Sequence, residues 1–376
     1  MVFLPDDWQQ TDTPAAVPCE ATTDTANGAS ALRSPDAPPE AEEGFDFYGL
    51  TVAVEGHPAE LVDQLRRDFA FFRRRAAVAS ADVRVEIRLE EPPWECVPAL
   101  PASVFTPRNV SFTDGVTTYL DYFGRGLAVL DRRDRSCVVH CPDPDLAHEI
   151  AYLFLLSTVG QHLDARGLHR VHALGVSHRG QGILLLLPSG GGKSTLALEL
   201  LSRPGFFLLS EDTPLVDRRG RLLPFPLRLG VRPEERPEIP PQYLRTVRRM
   251  EFDPKTLIDL EYFRGRIGDV VPAKVLLVGE RNSGAVSAIV PTSNPAAFRA
   301  LVKYMVVGLG VYQGLEFLLE RGAWELAGQS GVVASRTASA LQLLARVRPY
   351  RFVLGRDRDR NTRTLLEFLA RGNGVA

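Results

Sequence analysis

The stretch that decides the fold is residues 182–195, GILLLLPSGGGKST. It begins as an uninterrupted apolar run typical of a buried strand and passes into a glycine-rich loop. It then continues into residues 195–201, TLALELL, which have helical spacing. Strand, glycine loop and helix in this order are the context in which a loop binds phosphate. Glycines let successive backbone N–H groups face the phosphate oxygens, and the start of the helix favours an anion.

The loop supplies a set of predicted phosphate-binding residues. Lys193 is expected to place a point charge near the β- and γ-phosphates, and the Ser194 hydroxyl is expected to ligate Mg²⁺. The usual pattern, G-x-x-x-x-G-K-[ST], has a glycine where this chain has Leu187, so the loop leaves its strand with a different geometry. The predicted cofactor-binding residues are Ser189, Gly190, Gly191, Gly192, Lys193, Ser194 and Thr195.

Two acidic residues, Glu211 and Asp212, follow the apolar run FFLLS about one helix and one strand after the loop. Carboxylates at the end of a buried strand beside a phosphate loop suit Mg²⁺ coordination and proton abstraction. The alternative is a solvated strand end that leads into a turn. His172 lies one strand before the loop, and a lone histidine is more often structural than functional.

The span from His172 to Asp212 resembles the HPr kinase/phosphorylase family, whose catalytic core has a P-loop fold of the phosphoenolpyruvate-carboxykinase type. The spacing from His172 to Lys193 matches the family pattern, and Gly182 falls where the family has a glycine. Glu211 and Asp212 take the places of the family's paired aspartates. The chain departs from the family at Leu187 and at Glu211, where the longer acid keeps the charge but moves the carboxylate.

The resemblance implies an ATP- and Mg²⁺-dependent kinase that phosphorylates a hydroxyl, such as a serine of a peptide or protein. Ser194, Glu211 and Asp212 would hold the metal, and His172, Glu211 and Asp212 would be catalytic. The layout is more similar to the HPr-kinase-like proteins of bacterial peptide-modification cassettes, the SynChlorMet cassette C type.

Because phosphoryl transfer uses arginine to stabilise charge, Arg228 and Arg264 are further catalytic candidates. The alternative is a catalytically inactive nucleotide-binding regulatory or scaffold protein.

The periodicity along the chain predicts an α/β protein in three parts. Residues 1–44 are expected to be a disordered tail, because they hold few large apolar groups. Residues 45–166 are expected to form an α+β recognition domain, with one strand over 45–56, helices over 58–75 and 145–165, and a meander over 117–141. Residues 167–376 are expected to form the kinase domain, which has a mixed sheet and is mostly helical over 295–345.

The composition limits which binding partners and which cell compartment are expected for this chain. The chain has 376 residues and a net charge of -2, without the basic face of a nucleic-acid binder. It has no apolar run long enough for a membrane helix and no secretory signal, and its four cysteines indicate a reducing cytoplasm. A peptide or protein substrate is expected, and homo-oligomerisation is left open. Of the 44 basic residues only four are lysines, namely Lys193, Lys255, Lys274 and Lys303.

Overall fold

The computed structural model describes residues 39–74, 80–188, 190–231, 239–250, 253–312 and 322–371. Helices and strands are interspersed along the chain, and the strands build two large mixed sheets and one small antiparallel sheet. The predicted α/β class is therefore confirmed. No helix in these ranges combines the length and the apolar character that a membrane crossing requires.

The first sheet has nine strands in the order β3-β1-β2-β4-β9-β8-β7-β6-β5. The pairs β2–β4 and β4–β9 are parallel, and the others are antiparallel. The consecutive antiparallel strands β7, β8 and β9 confirm the predicted meander. The strands are β1 Ala41–Asp46, β2 Thr51–His57, β3 Arg73–Arg74, β4 Val83–Arg88, β5 Ala102–Phe105, β6 Val110–Thr113, β7 Thr117–Asp121, β8 Leu127–Asp131 and β9 Ser136–His140.

Two helices accompany this sheet. Helix α1, Ala59–Asp68, buries Leu61 and Leu65 and ends earlier than predicted, where a short 3-10 turn follows. Helix α2, Pro144–Ala165, agrees with its prediction and starts at an N-cap, where the Asp143 carboxylate accepts hydrogen bonds from the first free N–H groups.

The structure corrects the sequence predictions at the start of this region. The stretch predicted as one strand is a hairpin, because Tyr48 and Gly49 take positive φ values of 56° and 87° and reverse the chain. The first strand begins at Ala41, inside the predicted disordered tail and four residues before the predicted start of the strand at Phe45. Glu43 is tolerated inside this strand because Nε of Arg73 lies 2.8 Å from its carboxylate. Residues 1–38, the rest of the predicted tail, lie outside the described ranges.

The second sheet has the order β10-β14-β15-β19-β12-β11-β13, with β21 also beside β19 and β20 beside β21. The third sheet has the order β16-β18-β17. Their strands are β10 Leu168–Arg170, β11 Ala173–His178, β12 Gln181–Leu186, β13 Phe206–Ser210, β14 Leu215–Asp217, β15 Arg221–Leu223, β16 Leu229–Val231, β17 Leu244–Val247, β18 Lys255–Ile258, β19 Val271–Arg281, β20 Ala288–Pro291 and β21 Arg348–Leu354.

The described part of this second region contains four helices. They are α3 Lys193–Leu201, α4 Asn294–Leu301, α5 Gly322–Leu344 and α6 Arg358–Ala370. A π-helical turn, Val302–Val306, continues α4. The predicted helical character of residues 295–345 is thus seen in α4, this turn and α5, while residues 313–321 lie outside the described ranges.

The topology brings the glycine loop to one edge of the second sheet. Strand β12 runs parallel to β19, and β19 runs parallel to β21, so the carboxyl ends of all three lie at the same edge. The loop leaves β12 at that edge and enters α3. A ligand at the loop therefore lies beyond the carboxyl ends of parallel strands, where α/β folds usually bind ligands.

The two large sheets share hydrophobic contacts. The apolar cluster beneath the first sheet, which includes Leu61 and Phe72, also contains Leu215, Leu223 and Phe225 from the second region. Phe72 and Phe225 are in ring contact, with centroids 5.0 Å apart. The predicted domain boundary near residue 166 stays a prediction, and the core on its N-terminal side is completed by residues from its C-terminal side.

Candidate functional site

A cleft of about 1080 Å³ lies in front of the glycine loop. One wall is formed by the loop and the start of α3, and another by residues 210–213 at the end of β13. Tyr152 and Leu156 of α2 contribute from the first region, and β16, β18 and α6 complete the lining. The cleft is therefore built from both regions of the chain.

The loop has the backbone conformation that the glycines predict. Gly190 and Gly192 have φ values of 71° and 99°, which residues with a side chain rarely adopt. A Cβ atom at Gly191 would lie 2.8 Å from the carbonyl oxygen of Pro188, which leaves no room for one. Gly192 is the N-cap of α3, so the free N–H groups of the helix start at the loop. The predicted residue Ser189 lies outside the described ranges.

The departure at Leu187 has a packing explanation. The Leu187 side chain is fully buried in the core beneath the loop. It occupies the space next to Gly279 of β19, where a Cβ atom would collide with it. The backbone carbonyl of Leu187 still faces the site, because it accepts a hydrogen bond from Nζ of Lys193 at 3.1 Å. The leucine is thus accommodated by a glycine on the neighbouring strand.

Lys193 is the centre of the site and is only 5% exposed. Its Nζ donates to Nε2 of His172 at 2.8 Å and to the loop carbonyls of Leu187 and Pro188 at 3.1 and 3.4 Å. The same atom lies 3.4 Å from Oδ1 of Asp212. The ammonium group is thus held between the loop, the histidine and one of the two predicted acids.

Glu211 and Ser194 are joined by a side-chain hydrogen bond. The Ser194 hydroxyl donates a hydrogen bond to Oε1 of Glu211 at 2.6 Å. Burial raises the pKa of Glu211, and the neighbouring charge of Asp212 raises it further. The predicted metal-binding hydroxyl therefore lies beside a carboxylate whose negative charge is not fully compensated.

Asp212 has a different environment from its neighbour. Its side chain is 46% exposed, and Oδ1 lies 3.1 Å from Nδ1 of His172. Burial opposes its ionisation, but the interactions with His172, Lys193 and Lys255 outweigh that effect and lower its pKa. The pKa of Asp212 is therefore shifted in the opposite direction from that of Glu211, and its side chain faces the cleft.

His172 is buried and tightly packed. It is 3% exposed, and its backbone N–H donates to the carbonyl of Tyr304 at 3.0 Å. Gly310 packs on the imidazole, since a Cβ atom there would lie 2.7 Å from the ring. An ammonium group can only donate a hydrogen bond, so Nε2 of His172 accepts from Lys193 and leaves Nδ1 towards Asp212. The histidine therefore connects the lysine to the acid.

The structure adds Lys255 to the predicted residues. Lys255 of β18 lines the cleft and interacts electrostatically with both Glu211 and Asp212. Its side chain lies over Gly230 of β16, where any Cβ atom would collide with it. Two of the chain's four lysines therefore lie in this cleft. The scarcity of lysine was the only signal in the sequence that could have indicated Lys255.

Arg228 lines the cleft, but its guanidinium is already engaged. Nη1 lies 2.7 Å from Oδ2 of Asp68, a fully buried carboxylate of α1 that also binds Arg245 and His148. Its ζ carbon lies 3.9 Å from the centre of the Tyr152 ring. Arg228 is thus fixed at the contact between the two regions.

Arg264, the other predicted arginine, is not brought to the cleft. Its side chain is 81% exposed and pairs with Glu261 at 3.0 Å. Among the described residues, those that line the cleft do not include it. The remaining predicted residues, apart from Ser189, all line one cleft.

The donor set fits a Mg²⁺ ion that arrives with a nucleotide. Within the described ranges no group of three or more His, Cys, Asp or Glu side chains could hold a metal. Mg²⁺ typically uses one or two protein oxygens together with phosphate oxygens and water. Ser194 and Glu211 offer two such oxygens beside the loop.

No family model matches the sequence, and no curated protein shows significant similarity to it. The functional argument therefore rests on the residues of the cleft.

Proposed function

We propose that this protein is a nucleotide-dependent phosphotransferase that binds ATP with Mg²⁺ and phosphorylates a hydroxyl group of a peptide or protein. The observation that carries the proposal is the contact of Lys193 and Ser194 with His172, Asp212 and Glu211. A buried lysine and a hydroxyl at the start of a helix, faced by two carboxylates, are the groups that phosphoryl transfer requires.

The two acids have separate roles in this proposal. Glu211 accepts the Ser194 hydrogen bond and therefore lies on the metal side, where bound Mg²⁺ would neutralise charge on the phosphates. Asp212 has a lowered pKa and is open to the cleft, so in this proposal it orients the acceptor hydroxyl and takes its proton.

Lys193 and His172 complete the arrangement. Lys193 lies between the loop carbonyls and Asp212, so its ammonium group can stabilise negative charge on the phosphoryl oxygens without large movement. His172 fixes the lysine and faces Asp212, so it positions both groups.

The test separates binding from transfer. We expect Lys193→Ala to abolish ATP binding measured by calorimetry. We expect Glu211→Gln and Asp212→Asn to retain ATP binding and to lose transfer of the labelled γ-phosphate to peptides. Lys274→Ala, an exposed lysine of β19, is the matched control and should change neither. The proposal is wrong if both acid variants transfer phosphate at the wild-type rate.

A second candidate is a nucleotide-binding regulatory or scaffold protein without catalysis. The observation that favours it is Glu211, which stands where the family that the sequence resembles has an aspartate. Its carboxylate accepts a hydrogen bond from Ser194. In that case the wild-type protein binds ATP, gains stability from it and transfers no phosphate to any peptide or to water. Labelled ATP therefore distinguishes the two candidates.

A further inference from the structure

We propose that Arg170 and Arg228 form a second anion-binding subsite, at the end of the cleft that α2 lines. It would hold a carboxylate or phosphate group of the molecule that accepts the phosphoryl group. The anion binding is independent of catalysis, whereas its assignment to the acceptor rests on the proposed function.

Arg170 is a buried cation without a carboxylate of its own. It ends β10, lines the cleft two residues before His172 and is 7% exposed. Nη1 donates to the backbone carbonyl of Leu156 at 3.1 Å. Among the residues that the structure describes, no acidic group lies within 4.0 Å of its guanidinium. Burial lowers the pKa of Arg170 to about 10, so it stays charged at neutral pH.

Asp164, the acid that interacts electrostatically with Arg170, is already paired with other groups. Asp164 lies 2.6 Å from Nη2 of Arg336 and 2.8 Å from Nδ1 of His169. Arg336 also disfavours the charge of Arg170 electrostatically. The burial of an unpaired guanidinium is costly unless a counter-ion is supplied. A bound anion would supply it.

Arg228 adds a second cation at the same place. Its partner Asp68 also binds Arg245 and His148, and Asp259 binds Arg245 and Arg67, so two carboxylates face three guanidinium groups. Arg170 donates to the carbonyl of Leu156, and Arg228 lies over the ring of Tyr152, so the two cations lie about one helical turn apart along α2. Both line the same cleft as Asp212.

This position suits the acceptor better than the nucleotide. The guanidinium fork binds carboxylate or phosphate oxygens in pairs and so fixes orientation as well as charge. An acceptor anchored by its anion at this end would reach Asp212 with its hydroxyl, while Lys193 holds the phosphates on the other side. The cleft would favour acceptors that carry an acidic or phosphorylated group near the modified hydroxyl.

The experiment measures anion binding while the glycine loop is filled. The full chain is saturated with Mg²⁺ and a non-hydrolysable ATP analogue, and inorganic phosphate or succinate is titrated in by calorimetry. We expect one saturable site for at least one of the two anions. Arg170→Gln should weaken it about tenfold or more, and Arg170→Lys should weaken it less because the charge remains. Arg351→Gln, an exposed arginine that pairs with Glu280, is the matched control and should bind as the wild type does.

Three results would overturn the subsite. They are no saturable anion binding to the wild type, unchanged binding to Arg170→Gln, and binding that occurs only when the analogue is omitted, since the loop alone would then hold the anion. The first and third need no variant, so misfolding of Arg170→Gln cannot obscure them. Anion binding that persists in a protein without phosphotransferase activity would refute the proposed function and leave the subsite standing.

Discussion

Lys193 occupies a position that suits a compact ammonium group and not a planar guanidinium. Its Nζ is surrounded at 2.8–3.4 Å by His172, two loop carbonyls and Asp212, and the side chain is almost fully buried. Lys193→Arg keeps the charge but adds atoms where none fit. We expect nucleotide affinity, measured by calorimetry, to fall about tenfold or more.

The control for this prediction is the same exchange at Lys274, which is exposed on β19. Lys274→Arg should leave nucleotide affinity at the wild-type value. If Lys193→Arg also binds as tightly as the wild type, the ammonium pocket described above is not what holds the phosphates.

Glu211 should make nucleotide binding depend on pH. Its pKa is raised by burial and by Asp212, and a metal binds the ionised carboxylate. Affinity for the Mg²⁺–nucleotide complex should therefore rise as the pH increases through a value above the usual glutamate range, and fall on acidification. Glu211→Gln should bind with an affinity that no longer changes over this window. A wild-type slope retained in the variant would assign the titration to another group.

Among single residues, the sequence motif predicts most of the side chains that meet around Lys193 in the cleft. Local spacing indicated Lys193, Ser194 and the acidic pair, because the chemistry of a phosphate loop is encoded in consecutive residues. Lys255 and Arg170 could not be predicted in the same way. Their role depends on which strands become neighbours, and that is a tertiary property.

Strands β12 and β19 determine how the loop leaves the sheet. Leu187 fits beneath the loop only because Gly279 of β19 has no side chain. Gly279→Ala should therefore push Leu187 towards the loop. We expect a loss of about 1–3 kcal/mol in the free energy of unfolding and weaker nucleotide binding, measured by denaturation and calorimetry.

A second substitution tests whether the cause is local. Leu187→Ala in the Gly279→Ala background removes the colliding atoms and should recover part of the nucleotide affinity. Leu187→Ala alone should lose stability, because it leaves a cavity in the core. Additive effects of the two substitutions would contradict a direct contact between the positions.

Elements with strong periodicity were predicted well, and turns were not. Helices α2 and α3 and strand β12 match their sequence patterns. The hairpin after β1 has no such pattern, because Tyr48 takes a positive φ that no local rule requires of a tyrosine.

Across the whole molecule, Asp68 joins the two regions. It is fully buried and binds His148 from the first region and Arg228 and Arg245 from the second. Asp68→Asn would leave two guanidinium groups without their shared anion. We expect a loss of about 3–5 kcal/mol in the free energy of unfolding, measured by denaturant titration at neutral pH.

Acidification should reproduce part of this loss in the wild type. Burial opposes ionisation of Asp68, but Arg228, His148 and Arg245 hold its pKa far below the usual value. Its contribution to stability is therefore complete above about pH 4 and is lost as the pH falls further.

The control for Asp68→Asn is Asp63→Asn, on the exposed side of α1, which should change stability by less than about 0.5 kcal/mol. A comparable loss of stability in both variants would contradict the role of the buried Asp68 ion pairs.

The shared core limits how this protein can be divided or recombined. Leu215, Leu223 and Phe225 complete the apolar cluster of the first sheet, so a fragment that starts after α2 would expose all three to water. The N-terminal region therefore cannot be exchanged between homologues as an independent module. A change of residues at this contact requires matched substitutions on both of its sides.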